Sequence, residues 1–120
     1  MSGLFQWCAR ALVAALALFL LSPAGSALAQ DPAVTVDMIG YTFAPTVVHV
    51  APGATVLWTN SSPLAHTVTA DDGSFDSGSV DPDSTFSTTF DTPGTYQYFC
   101  APHGSPGLHG MAATIIVDDQ

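Results

Sequence analysis

One thiol, two imidazoles and one thioether fall within a single Pro- and Gly-rich segment, Cys100-Ala101-Pro102-His103-Gly104-Ser105-Pro106-Gly107-Leu108-His109-Gly110-Met111. Soft sulfur donors combined with imidazole suit copper, and a trigonal set of two His and one Cys with a weak axial Met is an arrangement used for one-electron transfer. Cys100, His103 and Met111 supply three of those four donors. The second imidazole has to come from another segment, and His66, upstream in a strand of its own, is placed to provide it. A lone Cys is commonly a small buried hydrophobe. Its position three residues before a His, in a loop that ends in Met, argues for a metal ligand instead.

The elements that must position these donors read as strands. From residue 34 on, short β-branched and aromatic stretches are separated by Pro, Gly, Asn and Asp, with no helical period. Val34–Met38, Thr46–Val50, Ala54–Asn60, His66–Ala70, Thr85–Phe90, Thr95–Cys100 and Ala112–Val117 follow one another at the spacing of an all-β chain. Seven or eight such strands predict two packed sheets with alternate side chains filling the layer between them. On that alternation His66 shares a face with Val68 and Ala70, and Cys100 shares one with Tyr96 and Tyr98, so both donors point inward at one end of the sandwich. Met38, Trp58, Phe86, Phe90, Tyr96 and Tyr98 read as core. His49 reads as a surface strand residue.

Ahead of the strands, Arg10 is followed by the apolar run Ala11–Leu21 and then by Ala27-Leu28-Ala29. This is the pattern of a signal peptide, whose apolar region runs roughly 7–15 residues before a small-residue cleavage site. A membrane span needs about 20 apolar residues, and an uncleaved anchor is the alternative. Cleavage after Ala29 assigns residues 1–29 to the signal peptide and 30–120 to one exported domain, periplasmic or otherwise outside the cytoplasm. Cys8 leaves with the signal peptide, so Cys100 remains alone where paired cysteines oxidise; an odd Cys there is a free thiol, an intermolecular link or a metal ligand.

Residues 30–120 contain no Lys and no Arg, and all ten acidic residues of the chain are aspartates within them. Phosphate binding draws on Lys and Arg, so nucleic acid is excluded as a partner. A positively charged protein partner, through long-range steering, or a salty habitat suits such a surface; charge that only aids solubility is the alternative.

The order of motifs resembles that of the plastocyanin, amicyanin and pseudoazurin group of type 1 blue copper proteins, the cupredoxins. Met38-Ile39-Gly40-Tyr41-Thr42-Phe43-Ala44-Pro45, Val56-Leu57-Trp58-Thr59-Asn60, His66-Thr67-Val68, Gly94-Thr95-Tyr96 and Cys100-Ala101-Pro102-His103 fall in that group's sequence, and the likeness spans nearly all of residues 30–120. The resemblance implies a cupredoxin-like Greek-key β-sandwich and one type 1 copper on His66, Cys100, His103 and Met111. It further implies that His103 reaches the surface among Pro102, Pro106, Leu108, Pro63 and Leu64, as an apolar docking patch for redox partners such as a basic cytochrome or a membrane oxidoreductase.

Two positions depart from the group. The segment from Cys100 to Met111 is longer than the plastocyanin and amicyanin loops, which leaves His109 as a competitor to Met111 or His103; the preserved Cys-x-x-His spacing favours His103. Thr67 stands where the group usually has an Asn that helps fix the cysteine loop, which bears on the redox potential.

With every coordination place filled, the reading is an electron carrier and not an enzyme, since catalytic metal sites keep one position open. Copper delivery without a redox chain is the alternative; the Met- or His-rich tails that would favour it are missing. An oxidase or reductase would need further copper ligands for which the chain has too few histidines.

Overall fold

A computed structural model describes residues 32–119. The expected signal peptide and its cleavage site lie outside them. Among the described residues every regular element is a strand: β1 Val34–Ile39, β2 Thr42–Ala44, β3 Val47–Val50, β4 Ala54–Asn60, β5 Thr69–Ala70, β6 Thr85–Phe90, β7 Gly94–Ser105 and β8 His109–Val117. One sheet runs in the order β2-β1-β4-β6 and the other in the order β3-β8-β7-β5. Strand β1 pairs parallel with β4 and β3 parallel with β8, while all other neighbours are antiparallel.

The inward positions of both sheets alternate as the pleat requires. Val36 and Met38 of β1, Val56 and Trp58 of β4, Phe90 of β6, Tyr98 and Cys100 of β7 and Ile115 and Val117 of β8 form one buried core. Each large apolar side chain taken out of water there contributes about 1.5–3 kcal/mol. Trp58 sits at its centre, its ring 5.5 Å from that of Tyr98 and almost perpendicular to it, with Phe86 at 5.7 Å on another side. The Trp58 indole N–H donates to the Tyr98 hydroxyl at 3.1 Å, which joins the two sheets and gives the buried phenol its polar partner. Burial pushes the Tyr98 phenol well above its ordinary pKa.

Three expectations change. Thr42–Ala44 is a separate strand, paired with β1 across the Gly40-Tyr41 turn. Of the stretch His66–Ala70, only Thr69 and Ala70 join a sheet; His66 instead forms an isolated bridge with Val80, exchanging backbone bonds of 3.1 and 2.7 Å. The inward face nevertheless holds, with His66, Val68 and Ala70 all buried. The third change is the expected loop between Cys100 and Met111, where β7 and β8 continue past the core as a paired ladder that closes at Pro106-Gly107-Leu108.

Candidate metal centre

The β7–β8 ladder is regular up to Phe99↔Ala112 and resumes at Gly104↔Gly110. Between those pairs β7 contributes Cys100, Ala101, Pro102 and His103, and β8 contributes only Met111. A bulge of this kind bends its strand and re-aims side chains. Here it turns Cys100 and His103 toward the same point. Beyond it the two arms lie unusually close: a Cβ on Gly104 would stand 2.6 Å from the Met111 carbonyl oxygen, and one on Gly110 would stand 2.5 Å from that of His103.

His66 arrives from the opposite side, at the end of a loop organised by Asn60. The buried Asn60 amide donates to the carbonyls of Leu64 (2.7 Å) and Val80 (2.9 Å), and its oxygen accepts from the Ser62 N–H at 2.9 Å. The Ser62 hydroxyl lies 2.8 Å from His66 Nε2. It can donate to Asn60 Oδ1 or to the Leu64 carbonyl, which leaves its lone pair for an N–H on Nε2 and so leaves Nδ1 bare. Burial lowers the His66 pKa below its ordinary value, the charge of a protonated His103 lowers it further, and a hydrogen bond to the Gly40 backbone works the other way. The neutral, metal-binding form of the ring is therefore favoured.

Cys100 is fully buried and unpaired. Its Sγ lies 3.4 Å from His66 Nδ1 and 3.4 Å from His103 Nδ1, and the two nitrogens are 3.2 Å apart. Three soft donor atoms thus face one point. Hydrogens alone satisfy such a group poorly, because two imidazole nitrogens can share only one proton between them, whereas a thiolate- and imidazole-seeking cation meets all three. Among the described residues no other group of three His, Cys, Asp or Glu side chains comes together in this way.

Met111 is buried in the same core cluster as Cys100, opposite the bulge. His109 is not in the donor group. It pairs with Ser105 on the exposed hairpin arm, its ring against the Gly107 position. His49 lies on the surface, 3.6 Å from an Asp118 carboxylate oxygen.

Three further groups that the sequence did not single out reach the centre: Ser62 and Gly40 at His66, and Tyr41, whose ring meets that of His103 edge-on at 4.8 Å. A hydroxyl four residues before an inward-facing His was the available signal for Ser62. Thr67 was noted as a departure, and the structure supplies its role: its N–H points at Cys100 Sγ from 3.4 Å, and its hydroxyl accepts the Ala101 N–H at 2.8 Å.

Comparison with known proteins agrees with this geometry. The chain is 34% identical to plastocyanin of Scenedesmus fuscus over 57% of its own length and 81% of that protein's. It is 28% identical to chloroplastic plastocyanin of Pisum sativum over 87% and 73% of the two chains. Among solved structures it is similar to an oxidised mutant of amicyanin, at a TM-score of 0.64 and 27% identity, over 75% of this chain and 86% of that one. It also matches a Cu-containing nitrite reductase from Thermus scotoductus, at a TM-score of 0.63 and 25% identity, but spans only 25% of that enzyme. Residues 31–118 match the family described as copper binding proteins, plastocyanin/azurin family. With that match over the whole sandwich, and with soft donors converging at one end of it, this chain belongs to the plastocyanin/azurin family of cupredoxins and takes one type 1 copper.

Proposed function

We propose that this protein is an exported carrier of single electrons, with His66, Cys100, His103 and Met111 as the ligands of its copper. The observation that carries the reading is the convergence of Cys100 Sγ with two imidazole nitrogens at 3.2–3.4 Å, one imidazole sealed in the core and the other half-buried at the surface. When bound, type 1 copper supplies a one-electron Cu(I)/Cu(II) couple. The protein's part is to hold the donors still. The Asn60–Ser62 network orients His66, Thr67 ties down the Cys100 segment, and the bulge fixes Cys100 and His103 opposite Met111.

His103 is half-buried, and the residues that the family likeness sets around it, Pro102, Pro106, Leu108 (47%) and Leu64 (37%), are exposed. A small apolar contact there suits the weak, short-lived encounters of redox proteins. The partner is a basic cytochrome or a membrane oxidoreductase, drawn in by the aspartates, among which Asp72, Asp76, Asp81 and Asp83 are exposed. Electron-transfer rates with such a partner fall as ionic strength rises through the range where the screening length shrinks to about 10 Å; rates that stay flat would sink the steering claim.

The decisive test is to load the protein with Cu(II) and record visible and electron paramagnetic resonance spectra beside Cys100→Ser and Met111→Ala. An intense blue band with narrow copper hyperfine splitting, bleached by a mild reductant and lost in Cys100→Ser, is expected. Met111→Ala is expected to retain a perturbed coloured site, since the axial bond is the weak one. A pale copper adduct indifferent to Cys100→Ser would replace the carrier with a copper-delivery function.

A further inference from the structure

We propose that Tyr41 is a positioning residue for His103, fixing the orientation of the more exposed imidazole through an edge-to-face contact between the two rings; the proposal rests on the copper-site reading above. The two imidazoles are held in different ways. His66 is fully buried, with the Ser62 hydroxyl 2.8 Å from its Nε2 and a hydrogen bond to the Gly40 backbone. His103 is half-buried, and its polar contacts, to Cys100 Sγ and His66 Nδ1, all lie on the Nδ1 side. Among the described residues no hydrogen bond steadies its Nε2 side. Its orientation therefore depends on what packs against the ring.

Two rings do so. One is His66 itself, at 5.0 Å between centroids. The other is Tyr41, at 4.8 Å and 72°, among the described residues the one aromatic group outside the donor set in contact with His103. Edge-to-face geometry places the positive edge of one ring against the negative face of the other, which favours a particular angle as well as proximity. Tyr41 is 62% exposed, so burial contributes little to keeping it where it is. Its place is set by the backbone. Gly40 and Tyr41 form the two-residue turn between β1 and β2, closed by the Ile39↔Thr42 pair, with Gly40 at φ +59°. The same turn thus touches both imidazoles, His66 through the backbone of Gly40 and His103 through the ring of Tyr41.

An imidazole restrained on one side only by an edge-to-face ring contact should swing more freely when that contact is removed. An edge-to-face pair corresponds to a factor of roughly 2 to 10 in an equilibrium or rate. The test compares full-length wild-type protein with Y41A, Y41L and Y41F in two states. In copper-free protein, NMR relaxation of isotopically labelled histidine rings reads the order of the His103 imidazole directly. In Cu(I)-loaded protein, the rate of capture by the chelator bicinchoninate reads how often the site opens. Y41A and Y41L are expected to lower His103 ring order and to speed Cu(I) capture about two- to tenfold, with thermal unfolding of the copper-free protein unchanged in Y41L. Y41F, which keeps the aromatic ring, is expected to match wild type in both readouts. Wild-type behaviour in Y41L, or equal effects in Y41F and Y41L, would overturn the proposal. A wild-type protein that takes up no copper would overturn the copper-site reading, and the copper-free relaxation data would still decide whether Tyr41 orders His103.

Discussion

Thr67 holds Cys100 from two directions. Its backbone N–H points at the sulfur from 3.4 Å, and its side-chain hydroxyl accepts the N–H of the next residue, Ala101, at 2.8 Å. Because that hydroxyl accepts from Ala101, its own hydrogen is free to pass to Thr69 Oγ1 at 2.9 Å, and Thr69 donates in turn to Asp76 at 3.2 Å. Thr67, where the group usually has an Asn, thus reaches the cysteine segment with a shorter side chain, through its hydroxyl.

Thr67→Val keeps the shape and removes the acceptor. It is expected to cost about 1 kcal/mol, a fall in Tm of about 4–8 °C for a domain of this size, while the Thr67 N–H stays available to the sulfur. Calorimetry of the copper-free protein checks the first part. Retention of the blue band, with a shifted reduction potential, checks the second.

The lowered pKa of His66 makes the stability of the copper-free protein depend on pH. Burial, helped by His103, disfavours the charged ring in the folded state, so between the folded value and the ordinary 6.5 the unfolded chain binds more protons. Stability is expected to fall as pH drops below about 6.5 and to stop falling, for this group, below the folded pKa. Above 6.5 His66 contributes no slope. Urea melts at several pH values, repeated with His66→Asn, isolate the effect; an unchanged slope in the variant would assign it to other groups.

Gly104 is not among the positive-φ glycines, yet a Cβ there would meet the Met111 carbonyl at 2.6 Å, the His109 carbonyl at 2.7 Å and the Met111 nitrogen at 2.9 Å, all of them backbone. Gly104→Ala must push the two arms apart just beyond the bulge. A loss of about 1–3 kcal/mol is expected, typical of overpacking, together with a changed copper spectrum, because Met111 moves relative to Cys100 and His103. Denaturant unfolding and absorption spectra of the one variant read both.

Trp58 and Tyr98 are coupled through the 3.1 Å hydrogen bond in the core. Tyr98→Phe strands the indole N–H in an apolar layer and is expected to cost about 1–3 kcal/mol. Adding Trp58→Phe should cost less than the two single changes summed, with a coupling of about 0.5–3 kcal/mol. Strict additivity in a double-mutant cycle would show that the contact is energetically idle.

The strands and the donor atoms were legible from the sequence for one reason: both obey short-range rules. Met38, Trp58, Phe90 and Tyr98 read as core from the strand pattern and are buried there, and the Cys-x-x-His spacing placed Cys100 and His103 together. What escaped depends on contacts between elements far apart in the chain. Nothing local to Gly40-Tyr41 says that the turn meets His66 and His103, and nothing local to Asp71 says that its carboxylate accepts the Gly107 N–H at 2.8 Å. The hairpin beyond the bulge was hidden for a different reason. Pro106, Gly107 and Gly110 read as breakers of structure, whereas in three dimensions Gly104 and Gly110 are what allow two backbones to approach and pair.

That hairpin separates two quantities that a simple loop would keep tied together. Cys100, His103 and Met111 sit in the bulge, and regular pairing resumes at Gly104↔Gly110 and Ser105↔His109 before the chain turns. Removing or adding one residue on each arm would lengthen or shorten the tip by whole rungs and leave Cys100, His103 and Met111 in register. A change on one arm only would turn its remaining side chains to the opposite face. The projection beyond the bulge is thus a spacer of adjustable height, whose length can change in pairs of residues, one on each arm, while Cys100, His103 and Met111 stay where the bulge puts them.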